Sequence, residues 1–95
     1  MAVLAPAPRR LSRFLIELSP ADFRYDDIEH MTARSRAACS DLALQNVAVR
    51  LLRSIFLPED GSCLLLFEAS SPLAVAEAQR LAHLPSAHIS ELPRA

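Results

Sequence analysis

His30 follows Asp26 by four residues and Asp27 by three. On a helix that spacing sets the imidazole and a carboxylate on one face, and a divalent transition metal accepts imidazole together with carboxylate. Two such ligands do not complete a coordination shell, so a distant strand or a second copy of the chain would have to supply more. The plainer reading is a solvated helix face with an ordinary His–Asp contact. A second polar set comprises Glu17, Tyr25, Arg53 and Cys63. Glu17 and Arg53 belong to different strands, and a count by twos allows both to face the covered side of a sheet. There, with Tyr25 and His30, they could orient an acid or a phenol in a pocket between sheet and helices. The same pair reads equally well as a structural ion pair of small net worth. Cys63 could be a thiolate ligand or nucleophile, but no basic residue beside it in the sequence would lower its pKa, so it reads as a packed thiol. Cys39, next to Ala37 and Ala38, reads the same way, and His83 and His88 match no metal-ligand spacing.

Other chemistries are disfavoured by what the chain lacks. Its single glycine, Gly61, rules out a glycine-rich phosphate loop. There is no nucleophile elbow, no C-x-x-C pair and no aromatic-plus-basic sheet face of the RNA-binding kind. A net charge of −1 gives no electrostatic case for nucleic acid or an anionic membrane. No segment reaches the apolar length of a membrane span. The opening "MAVLAPAPRR" places its apolar residues before its arginines, the reverse of a secretory signal, so a cytoplasmic protein is expected. All ten basic residues are arginine, a usage that follows from a GC-rich genome and would mean anion binding only if the side chains converged.

The elements that must position these groups follow from periodicity. With 52% hydrophobic and 22% charged residues, 95 residues make one globular domain, expected over 11–95 after a mobile Pro/Ala-rich tail at 1–10. "RFLIEL", Arg13 to Leu18, reads as a strand closed by Ser19-Pro20. From Asp22 to about Leu44, Ile28, Met31, Ser35, Ala38 and Leu42 recur at helical spacing, with Asp22, Asp26, Asp27 and Glu29 complementing the helix dipole. Val47 to Leu57 reads as a long strand. Pro58, Glu59, Asp60 and Gly61 make the turn of a β-hairpin, and Ser62 to Glu68 returns. Ser71 and Pro72 start a second helix with its stripe at Val75, Ala78, Leu81 and Ala82. Ala87 to Leu92 is a last short strand. The order β-α-β-β-α-β predicts an α+β, ferredoxin-like antiparallel sheet with both helices on one face and the first and third strands in the middle.

That architecture leaves one sheet face without helices, and it should be polar. It is not: Leu64 and Leu66 point away from Cys63, Leu65 and Phe67, and Leu15 points away from Phe14, Ile16 and Leu18. Soluble monomers rarely expose so contiguous an apolar surface. A two-fold homodimer packed sheet to sheet would cover it; the alternative cover is the tail "AVLAPAP" folded back.

"RSIFLPEDGSCLLLFEASSPLAVAEAQRLAHLPSAHISEL" resembles a family of small bacterial proteins of largely unknown function, described in part as nickel-binding. The resemblance rests on Arg53-Ser54 entering the hairpin, Pro58-Glu59-Asp60 at its turn and Cys63 opening the next strand. Phe67-Glu68-Ala69, Ser71-Pro72 and Leu84-Pro85 follow, and Glu17 takes the acidic position of the first strand. It covers Arg13 to Leu92 and is loose over the first helix. It implies a ferredoxin-like fold, a homodimer and binding of a divalent metal such as nickel, with Asp26, Asp27 and His30 as this chain's candidate ligands. In the nickel-binding members a histidine often precedes the serine at the hairpin's entry; here Arg53 stands there, and a guanidinium does not ligate a divalent metal. Two other functions stay open: an enzyme or small-molecule binder, monooxygenase- or cyclase-like, and a non-catalytic association module.

Overall fold

The structure, a computed structural model, describes residues 10–19, 21, 23–24, 27–85 and 87–93. The expected tail therefore lies almost wholly outside the described residues, as do Asp22, Tyr25 and Asp26. Among the described residues four strands and two helices follow in the order β1 (Ser12–Leu18), α1 (Ile28–Ala43), β2 (Val49–Leu57), β3 (Ser62–Ala69), α2 (Pro72–Leu81) and β4 (Ile89–Glu91). The strands form one antiparallel sheet in the order β2-β3-β1-β4, so β1 and β3 are central.

Side-chain alternation builds the core. Phe14, Ile16 and Leu18 of β1 and Cys63, Leu65 and Phe67 of β3 are fully or almost fully buried beneath the helices. Helix α1 contributes Met31, Ser35, Ala38, Cys39 and Leu42, and α2 contributes Ala74, Val75 and Ala78. The inner faces of both helices are rich in small residues, which lets their backbones approach the sheet closely. Polar groups that enter this core are satisfied locally. Ser35 Oγ donates to the Met31 carbonyl at 2.8 Å. Gln79 Nε2 donates to the carbonyls of Pro85 and Ala87, tying α2 to the approach to β4.

Helix α1 begins at Ile28, later than the acidic run suggests. Asp27 instead closes a turn: its N–H donates to the Arg24 carbonyl at 2.8 Å, and its Oδ2 accepts from the Arg24 N–H at 3.2 Å. Short polar side chains offer the backbone this alternative to helix. Helix α2 starts as its sequence implies, with Ser71 Oγ accepting from the Ala74 N–H at 3.2 Å and proline in the first turn. Both helices end with a left-handed residue, Asn46 at φ 62° and His83 at φ 55°. The N–H of the residue beyond each reaches back, Val47 to Leu42 and Leu84 to Gln79, both at 3.0 Å. Arg34 of α1 adds a 2.8 Å bond to the Ala82 carbonyl at the end of α2.

The hairpin turn closes with Gly61 at φ 68° and its N–H on the Leu57 carbonyl at 2.8 Å. Along β2 the pairing slips. Val49 and Leu51 lie opposite Ala69 and Phe67, but Arg53 lies opposite Leu66, so Leu52 is an extra residue. This β-bulge reverses which face each later residue of β2 occupies. Val49 and Leu51 therefore do not share a face with Arg53, Ile55 and Leu57. Ser54 turns toward α1, where its Oγ lies 3.1 Å from Thr32 Oγ1, and Arg53, Ile55 and Leu57 turn to the face without helices. The bulge also bends an edge strand, and Arg36 of α1 donates to the Leu51 carbonyl at 3.2 Å, so the edge is partly covered against further pairing.

Candidate functional site

The face of the sheet away from α1 and α2 carries a group of side chains that the core does not use. Its register is set by β3. Glu68 lies between Arg50 and Arg13, Leu66 between Arg53 and Leu15, and Leu64 between Ile55 and Glu17. Leu57, opposite Ser62, extends the apolar group toward the hairpin turn. Leu15, Ile55, Leu57, Leu64 and Leu66 are all half-buried, while Arg13, Glu17, Arg50 and Arg53 are exposed. The Arg50 guanidinium pairs with Glu68 Oε1 at 2.9 Å. Neither Glu17 nor Arg53 enters an ion pair among the described residues.

Glu17 and Arg53 thus do not face the covered side of the sheet, as the count by twos allowed. For Arg53 the cause is the bulge at Leu52; for Glu17 it is the burial of Phe14, Ile16 and Leu18 on the other face of β1. Cys63 lies on the opposite side of the sheet from both, fully buried. The structure therefore brings Glu17 and Arg53 to one surface and separates Cys63 from them. Tyr25, the remaining member of that set, lies outside the described residues.

Burial pushes the Cys63 thiol above its ordinary pKa. Cys39 is raised by the same cause, against a hydrogen bond with the Leu51 backbone and the Arg36 charge, which pull it down. A buried thiol held protonated is a poor nucleophile and a poor metal ligand. Both cysteines are free.

At the start of α1, Asp27 and His30 are exposed and three residues apart. One Asp27 carboxylate oxygen is already used in the Arg24 turn, and Asp26 lies outside the described residues. Among the described residues no three His, Cys, Asp or Glu side chains gather as a metal site. His83 and His88 are exposed.

An open groove of about 340 Å³ runs between α1 and the edge strand β2, lined by Arg36, Cys39, Ser40, Val49, Arg50 and Leu51. None of Glu17, Arg53 or Cys63 lines it. Its two guanidinium groups are engaged, Arg36 with the Leu51 carbonyl and Arg50 with Glu68 at 3.0 Å. The groove was not apparent in the sequence, because it depends on how α1 lies along β2. No described helix is long and apolar enough to cross a membrane. No family model, no curated protein and no solved structure matches this chain.

Proposed function

We propose that the chain is a ferredoxin-like subunit that works as a homodimer, its copies associated through the helix-free faces of their sheets. The observation that carries this reading is the contiguous apolar group of Leu15, Ile55, Leu57, Leu64 and Leu66 on the face that neither α1 nor α2 covers. A contiguous apolar group left only half-buried marks association. The order of elements, with β1 and β3 central, supports the ferredoxin-like assignment. Light scattering at micromolar concentration tests it: twice the chain mass is expected, and a monomer overturns the dimer.

Within that dimer the same reading includes a divalent metal, nickel foremost. Its support is the resemblance noted above together with the exposed pair Asp27 and His30, which a two-fold axis would present twice. Calorimetric titration of untagged protein with nickel should show binding at a fixed ratio per dimer, lost in His30→Ala and kept in His83→Ala. Absence of heat and of bound metal would remove the metal from the reading and leave an association module.

A further inference from the structure

The apolar face carries two charges whose positions are related to one another. Glu17 of β1 lies opposite Leu64 of β3, and Arg53 of β2 lies opposite Leu66 of the same strand. Strands β1 and β2 flank β3 on its two sides. The midpoint between Glu17 and Arg53 therefore falls on β3 between Leu64 and Leu66, at the middle of the apolar group. Within one chain the two are two strand spacings apart, about 10 Å across the sheet, and each is exposed without an ion pair among the described residues. Arg50 is satisfied by Glu68. Arg13, beside Glu68 in the register, belongs to that same end row, beyond the apolar group.

From this arrangement we infer that Arg53 of each subunit pairs with the partner subunit's Glu17, and that these two reciprocal pairs set the register of the sheet-to-sheet dimer. The inference rests on the dimer proposed above and names what orients it. A two-fold axis lying in the interface through the midpoint and perpendicular to the line joining Glu17 and Arg53 exchanges the two positions; because they lie two residues apart along the strands as well as two strands apart, this axis is inclined to the strand direction. Arg53 then stands over the partner subunit's Glu17, and the symmetry makes the pair a second time. The leucines supply non-directional attraction, which would tolerate sliding by a residue pair in either direction. Opposite charges at the two sides of the group remove that freedom, because a slipped or reversed stacking sets each charge against leucine or against its like.

Charge exchange between subunits tests this directly. Arg53→Glu alone sets Glu against Glu at both contacts of its homodimer, and Glu17→Arg alone sets Arg against Arg. Each single variant should dimerise roughly tenfold to a hundredfold more weakly than wild type, with an unchanged circular dichroism spectrum since both positions are exposed. An equimolar mixture of the two single variants should recover dimers, found by native mass spectrometry to be heterodimers. The double variant carrying both substitutions should recover a homodimer. Single variants that dimerise as tightly as wild type, or a mixture that stays monomeric while wild type is dimeric, would overturn the pairing and leave the dimer standing. A monomeric wild type would overturn both, and deletion of residues 1–9 would then show whether the N-terminal segment covers the face, by releasing dimers.

Discussion

At the scale of single residues, burial decides chemistry more than residue type does. Cys63 has the element and the lone pairs of a metal ligand, yet it sits at 0% exposure among Leu65, Phe67 and Val75 in the core. Removal from water disfavours the thiolate, so the thiol titrates above its ordinary value of about 8.5. Cys39 behaves alike. The folded protein should therefore leave both thiols unreacted with a disulfide reagent at pH 8, and denaturant should expose both. The same shift has a consequence for stability. A thiol with a raised pKa in the folded state favours folding fully below its unfolded pKa, and that contribution falls as pH rises above about 8.5, where only the unfolded chain ionises. A denaturation midpoint that declines through this range in wild type and declines less in Cys63→Ala would confirm the account; a flat profile in wild type would count against it.

At the scale of elements, the ends of the helices are where single residues matter most. Ser71 accepts the Ala74 N–H and sets the start of α2, so Ser71→Ala should cost about 1 kcal/mol in urea denaturation. The other end of α2 stops on His83 at φ 55°, a conformation that glycine adopts without its Cβ penalty. His83→Gly should raise stability by about 0.5–1 kcal/mol, and the same change at Asn46 by less, since asparagine tolerates the left-handed region better. A loss of stability in His83→Gly would mean that the imidazole makes a stabilising contact. These two stops illustrate what was legible. The helical stripes of Met31, Ser35, Ala38 and Leu42, and of Val75 and Ala78, are readable from spacing, and the structure buries them. The C-terminal stops were not readable, because neither residue is glycine. The delayed start of α1 was not readable either, because Asp27 can cap a helix or close a turn with equal local ease.

At the scale of the whole molecule, the sheet has one face sealed by two helices and one left apolar. In the dimer proposed here that second face becomes a second core. Leu66 lies at its middle, between Arg53 and Leu15, so Leu66→Glu should convert the dimer to a folded monomer, read by sedimentation together with circular dichroism. An unfolded product would show instead that Leu66 supports the subunit itself, and an unchanged dimer would place the interface elsewhere. Leu42→Ala, by contrast, opens a cavity in the primary core and should cost about 2–5 kcal/mol of folding stability. The two variants separate association from folding.

The order of elements, the glycine turn at Gly61, the Ser71-Pro72 start and the identity of most core residues were determined by the sequence alone, because each depends on neighbours within a few positions. The oily character of both faces of β3 was equally plain, since alternation needs only the run from Cys63 to Phe67. The placement of Arg53 was decided by tertiary structure. Its face depends on the bulge at Leu52, and a bulge exists only between two paired strands: Leu51 and Arg53 keep their partners Phe67 and Leu66 while the residue between them is left over. That one-residue slip moves Arg53 from the covered side to the open face, beside Leu66 and across β3 from Glu17, a juxtaposition created by the pairing of three strands and invisible along any one of them.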